Sequence, residues 1–341
     1  MEVLDKVDRN YRVDYLCDDV SVDHLEIAKK IIRIIFSKRR LLKGEEAKTE
    51  SFDDEARPHI TIILAYLKKN ETINMILPAF PTKSPSREKT LSHLPDLGEE
   101  HALQNLHDLC CRIKTIYEPG AKVTICSDGR VFADVICVPD EDVTAYGLVL
   151  REFAEKKYKN TIDFYNLDDT FSDLKDYQTM REELMIGYGE SLTEIRQRCK
   201  DKKEASSMYK GITRFMFEDF LGIDPFRSQS RTSVQKHASA VAYRVIQRSN
   251  AWSKLLADQF STSVRLTIHP QYRVSEKIGV FLVESENCWS TPWHSVAVKD
   301  GENISLLPRK EVEKMEGAVL VYVDGRPSYF ELSNRMIEEV A

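Results

Sequence analysis

Apolar side chains recur at helical spacing over residues 22–37, with Leu25, Ala28, Ile31, Ile32 and Ile35 on one side, and predict an amphipathic helix. The charged stretch that follows, "SKRRLLKGEEAKTESFDDEARP", reads as an exposed, solvated loop. Pro58 then suits the first position of a second helix ending at Asn70. From there short β-prone runs alternate with helical patterns. Strands are expected at 73–77, 123–126, 161–165 and 264–268, and helices at about 99–117, 142–158, 205–221 and 233–260, with a further helical region up to about 203. Strand and helix in alternation with short connections predict a parallel sheet with right-handed crossovers. Beyond residue 270 the texture changes. Short β runs at 279–283, 295–298 and 319–323 alternate with turn signals at Asp300-Gly301 and Asp324-Gly325.

The expected fold is therefore α/β: a Rossmann-like, mostly parallel sheet flanked by helices, with a smaller β-rich C-terminal extension. Residues 1–262 would form the α/β domain; residues 263–341 would supply a strand completing the sheet and an antiparallel β-rich subdomain. One competing local reading stands. "VTICSDGRVFADVIC" also fits two strands around an Asp-Gly hairpin turn, although the flanking helices favour a strand followed by a loop.

Composition narrows the function classes. An apolar fraction of 42% over 341 residues suits a globular fold. A net charge of −6 and a pI near 5.9 argue against a general nucleic-acid binder. No apolar run is long enough for a membrane span, and the N-terminal residues lack the apolar core of a signal peptide. The seven cysteines include no C-x-x-C pair, and several lie in apolar runs, so a reduced, cytoplasmic protein is expected.

Standard motifs are absent: no G-x-G-x-x-G, Walker A, H-E-x-x-H or G-x-S-x-G occurs. His24-Leu25-Glu26 has the H-x-E spacing of an iron facial triad, with His237, His269 or His294 as third ligand. In a helix, however, residues two apart point different ways. No metal or cofactor is expected.

The chemistry is sought at the strand ends, because open parallel sheets bind ligands beyond their carboxyl edges. Four ends carry polar groups: Lys83 and Ser84; Asp128 and Arg130; Asp168 and Asp169; His269 and Gln271. Lys83 and Arg130 suit a phosphate or carboxylate. Asp128 and His269 are candidates for proton transfer. Plainer readings compete at each position. Ser127-Asp128-Gly129 is a common turn composition, Asp168 and Asp169 fit a helix cap, and His294 beside Trp293 fits a packed core histidine.

Five phrases carry a more specific signal: "LPAFPTKSPSREKTLSHLPDLGEEHAL", "GAKVTICSDGRVFADVICV", "VRLTIHPQ", "STPWHSVAV" and "GRPSYF". In this order they resemble the pyoverdine/dityrosine biosynthesis family, the isocyanide (isonitrile) synthases, over residues 22–330. Ser86 stands where the family more often has Asn. The resemblance implies condensation of an L-amino acid, commonly tyrosine or tryptophan, with ribulose 5-phosphate. The α-amino nitrogen would become an isocyanide without metal, nicotinamide or ATP. A tailoring oxygenase would act on the product. On this reading Lys83, Ser84, Arg130, Arg265 and Gln271 would hold substrate and phosphate, and His269 would be the base. Asp128 or His294 would be the acid. A dityrosine-type enzyme giving N-formyl tyrosine and a non-catalytic sensor are the alternatives.

Overall fold

The computed structural model describes residues 22–283 and 290–332; Cys17 and Cys288 lie outside them. Helices α1 (Val22–Phe36) and α2 (Phe52–Lys69) precede the first strand, β1 (Ile73–Leu77). Then come α3 (Leu97–Lys114), β2 (Ala121–Cys126), a single turn α4 (Gly129–Phe132), α5 (Asp140–Lys157) and β3 (Ile162–Tyr165). Helices α6 (Leu167–Thr170), α7 (Tyr177–Tyr188), α8 (Leu192–Asp201), α9 (Lys203–Leu221) and α10 (Arg231–Gln259) lead to β4 (Val264–Thr267) and β5 (Ile278–Gly279).

These five strands form one parallel sheet in the order β3-β2-β1-β4-β5. The chain moves outward from β1 to β3, then returns to the other side of β1. The order therefore reverses between β1 and β4, which is where a crevice opens in such sheets. The strands are largely apolar where helices cover them, but Lys122 and Asp163 leave β2 and β3 partly open to solvent on one face. Met75, Leu77, Val123 and Ile125 pack under α1, α2, α3 and α5. Ile76 and Cys126 face Trp252, Leu255 and Leu256 of α10, with Met180 and Leu184 of α7.

The remaining elements are β6 (Val296–Asp300), β7 (Asn303–Leu307), α11 (Arg309–Val312), β8 (Ala318–Val323) and β9 (Arg326–Leu332). They build a second sheet ordered β7-β6-β9-β8 around Leu91, Val296, Val298, Val312 and Phe330.

Four expectations change. The second sheet is mixed, because β6 and β9 run parallel. Of the run expected at 279–283, only Gly279 falls in a strand, β5, which joins the main sheet beside β4. Helix α2 begins six residues before Pro58: the Ser51 hydroxyl accepts the Asp54 N–H at 3.1 Å, and three acids fill the first turn. These start signals outweigh the one bond that Pro58 cannot make. Finally, only part of the charged stretch is a solvated loop: residues 46–51 are exposed as expected, but residues 38–42 are not. Arg39 and Leu41 bridge to Val280 and Gln271, and Arg40 and Glu45 are buried. The hairpin reading of 123–137 falls as well, since a helical turn follows β2.

Candidate functional site at the carboxyl edge of the sheet

The loop after β1 forms the partition of the site. Ser127 donates its hydroxyl proton to the Phe80 carbonyl at 2.8 Å. Pro81 lies so close to residue 129 that a Cβ there would sit 1.9 Å from the Pro81 oxygen, so only glycine fits. On the other flank the Phe80 ring packs against Trp293 at 5.3 Å, and the Ser84 N–H donates to the Trp293 carbonyl at 2.8 Å. Residues 80–84 are thus pressed between the turn that carries Asp128 and the segment that carries His294.

Asp128 precedes α4 but does not cap it. Its Oδ1 is shut off from water and has no hydrogen-bond partner. Burial pushes the carboxyl up to about 7, although its own backbone N–H works in the opposite direction. This is not the behaviour of an ordinary turn aspartate. At neutral pH Asp128 is divided between acid and carboxylate.

His294 presents its ring edge-on to Phe215, with centroids 4.0 Å apart, and its Nδ1 has no partner. Burial, then Lys89 and Lys83, hold its pKa well below the usual imidazole range. A cavity of about 550 Å³ opens in front of it, lined by Lys89, Arg214, Phe215, Ser295 and Arg309 among others. The hydroxyls of Thr82 and Thr291 are likewise buried without partners. Unpaired buried polar groups cost free energy, and their clustering is typical of a place built to receive a polar ligand.

His269 stands at the end of β4. Its side chain is exposed at the surface, although many protein atoms lie around it. Burial, then Arg40 and Lys277, lower its pKa to about 4. Lys277 itself is pushed down to about 8, by burial first and then by Arg265. Lys277 Nζ and Arg265 Nη2 both approach Ser253 Oγ of α10, at 3.1 and 3.3 Å. Three cations therefore gather on this flank, with Glu276 as an acidic neighbour. Strands β2 and β4 flank β1 at about 5 Å each, which puts the ends bearing Asp128 and His269 about 10 Å apart.

Several expected ligand groups are committed elsewhere. Lys83 is buried, and its ammonium donates to Asp96 at 2.7 Å and the Pro292 carbonyl at 2.9 Å and pairs with Glu99 at 2.8 Å. That uses all three of its protons, so none is left for a phosphate. Ser84 donates to Asp219 at 2.9 Å, and Asp219 in turn pairs with Lys89. Gln271 turns its amide to the carbonyls of His269 and Pro270. Arg130 contacts Asp168 at 3.1 Å, the Asp140 carbonyl at 3.1 Å and Thr144 at 2.6 Å, over the ring of Tyr177. It belongs to an alternating chain of charges beneath α4: Arg248, Asp134, Arg181, Asp140, Arg130 and Asp168. Asp169 closes a capping box with Asn166, as a helix cap. His269 is not poised near neutrality either: its pKa lies well below it. It is an acceptor that stays uncharged.

Sequence reading passed over Arg40, Asp96, Glu99, Tyr146 and Lys277. A signal existed for two of them: Asp96-Leu97-Gly98-Glu99 is a capping-box spacing, and that box is formed at the start of α3. Among the described residues no group of three or more His, Cys, Asp or Glu side chains is arranged to hold a metal ion, and no helix is long and apolar enough to cross a membrane.

Residues 63–320 match the profile of the pyoverdine/dityrosine biosynthesis protein family. The chain belongs to this family. Among its relatives is the L-tryptophan isonitrile synthase AmbI2 of Fischerella ambigua, 40% identical over 92% of this chain and 94% of that protein. The L-tyrosine isonitrile synthase of Pseudomonas aeruginosa is 38% identical over 92% of this chain and 96% of its own. The crystal structure of PvcA from Pseudomonas aeruginosa superposes with a TM-score of 0.82 at 38% identity, covering 90% of this chain and 99% of that one. The family assignment thus agrees with the sequence resemblance.

Proposed function

We propose that this protein is an isocyanide synthase joining the α-amino nitrogen of an L-amino acid, tyrosine or tryptophan, to C2 of ribulose 5-phosphate. The observation that carries the reading is the alignment with amino-acid isonitrile synthases over more than nine-tenths of the chain. The strand-end chemistry supports it. The amine must lose a proton before it attacks the ketone, and His269 and His294 are both uncharged acceptors at neutral pH. Attack gives a carbinolamine, whose hydroxyl leaves as water when a proton is supplied. Asp128, poised near 7, is the acid for that step and is regenerated by the proton the nitrogen gives up.

The sugar phosphate carries about two negative charges near neutral pH. Arg265, with Arg40 and Lys277, is the anchor for it: burial and then Arg265 lower Lys277, and an anion between them would offset that crowding of positive charge. Lys83, Ser84, Arg130 and Gln271 act behind these groups, holding the loops in place. The isonitrile would pass to a tailoring oxygenase in the cytoplasm.

The test is mass spectrometry of purified protein with C2-labelled ribulose 5-phosphate and a mixture of L-amino acids. One labelled carbon on the amino nitrogen of a single amino acid is the expected product. An unlabelled product removes the sugar from the reaction. Binding of both substrates without turnover would make the protein a sensor.

A further inference from the structure

The cavity in front of His294 carries cations that the proposed chemistry does not use. Lys89 is one. Its ammonium makes a short contact with Asp219 at 2.7 Å, while the Phe215 carbonyl at 3.4 Å and Glu218 at 3.6 Å are distant neighbours. Lys83, by contrast, has three partners within 2.9 Å. Arg309 is the other. Glu313 holds its Nε at 2.7 Å, and the carbonyls of Arg87 and Thr90 hold Nη1 at 2.8 and 3.0 Å. None of these bonds uses Nη2. The two carbonyls flank Lys89 in the chain, so both cations belong to one wall. A fixed guanidinium with one nitrogen to spare, joined by an ammonium with room for another acceptor, suits a carboxylate.

Charge balance decides what kind of carboxylate fits. Each cation on this wall has an acid of its own: Lys89 pairs with Asp219, Arg214 with Glu218, Arg309 with Glu313 and Lys310 with Glu88. The flank of His269 is different, because Arg40, Arg265 and Lys277 gather there with Glu276 as their acidic neighbour. A dianion suits that flank. A balanced wall suits a ligand that carries both signs and no net charge, as a free amino acid does near neutral pH. An acceptor for its ammonium is present: Glu218 gives Oε1 to Arg214 at 3.0 Å and keeps Oε2 3.6 Å from Lys89.

Two contacts tie such a ligand to the chemistry. The Phe215 ring touches both ends of the wall, with Lys89 Nζ 3.8 Å from its centroid and the His294 ring 4.0 Å from it. The carboxylate and amine of an amino acid share one carbon, so a carboxylate held at Lys89 brings the amine toward His294, whose Nδ1 has no partner. Ser290 lines this cavity and also the small recess formed by Arg40 and Ile268, so the two anion-holding places share a wall. At about 550 Å³ the cavity falls among small-molecule sites, which span about 300–1,000 Å³, and Phe215 and Pro308 give it an apolar side. We propose that this cavity is the amino-acid subsite: Lys89 and Arg309 take the α-carboxylate, Glu218 takes the α-ammonium, and the nitrogen lies beside His294. The identity of the ligand rests on the isocyanide-synthase reading.

The experiment pairs a change in the ligand with a change in the protein. Calorimetry compares L-tyrosine and L-tryptophan with tyramine and tryptamine, which lack the carboxylate, on the wild type, Arg309→Gln and Lys89→Met. The wild type should bind the better amino acid about tenfold or more tighter than the matching amine. In Arg309→Gln that preference should shrink to about threefold or less. Lys89→Met leaves the buried Asp219 unpaired, so Arg309→Gln, at a side chain 24% exposed, is the deciding variant. Under turnover Arg309→Gln should raise KM for the amino acid about tenfold and leave KM for ribulose 5-phosphate within about twofold, the reverse of Arg265→Gln. An unchanged preference for the amino acid over its amine, a KM rise confined to the sugar phosphate, or no binding of either amino acid to the wild type overturns the proposal. The expected binding pattern without any isonitrile product overturns the functional reading alone.

Discussion

Replacing Asp128 with Asn should stabilise the protein while impairing it. The carboxyl moves from its ordinary 3.8 to about 7 on folding, because its Oδ1 is buried with no partner. Three units at 1.36 kcal/mol each give roughly 4 kcal/mol as the upper bound on what ionised Asp128 costs the folded state. The folded form binds this proton more tightly than the unfolded chain. The native state is therefore favoured below pH 4, loses that advantage as pH rises through 7, and is level beyond it. Asparagine has the same shape and no charge to bury. Urea unfolding of both proteins from pH 4 to 9 is the assay. The variant's advantage should be near zero at pH 4, grow by at most about 1.4 kcal/mol per pH unit, and level off above 7 at about 2–4 kcal/mol. Turnover should fall at least about tenfold if Asp128 supplies the proton for loss of water. A stability difference that does not change with pH would refute the reasoning, because it would mean that Asp128 titrates normally in the folded protein.

Three further outcomes follow from the same geometry. Gly129→Ala forces a Cβ to within 1.9 Å of the Pro81 carbonyl, so the β1 loop must shift; a stability loss of more than about 2 kcal/mol by urea unfolding is expected. Lys83→Met strands two buried carboxyl groups and should cost about 3–5 kcal/mol of stability, seen as a drop in the urea midpoint at pH 8 that shrinks at pH 5. Arg265→Gln should raise KM for ribulose 5-phosphate about tenfold or more with little change in kcat, whereas His269→Ala should lower kcat with its melting curve intact.

The main sheet was legible because it is made of short apolar runs separated by periodic helices, a signal carried by neighbours in sequence. Strands β1 to β4 needed nothing more. The two-residue β5 and the parallel β6–β9 pair were not legible, since pairing partners are chosen in space and not along the chain. The site divides the same way. Asp128, His269 and His294 stood out by position at strand ends or in the resembling phrases; Asp128 and His294 carry buried atoms without hydrogen-bond partners, whereas His269 keeps exposed surface. Lys83, Ser84 and Arg130 were equally well placed, yet their duties are set from afar. Lys83 meets a carbonyl 209 residues away, Ser84 a carboxylate 135 away, and Arg130 an aspartate 38 away. No local pattern records such partners. The pKa of His269 was invisible for the same reason, because Arg40 reaches it from a segment that reads as solvated loop.

The alternating chain beneath α4 has an evolutionary consequence. Three arginines and three aspartates cancel there, and each interior member is shared by two neighbours. Losing one leaves an odd charge that the next neighbour inherits, so no single replacement is local. Drift at these positions should therefore run in opposite-sign pairs. Where a family member lacks an acid at position 134, it should also lack a cation at 181 or 248, and the turn holding Asp128 would stay in register while the residues that brace it change.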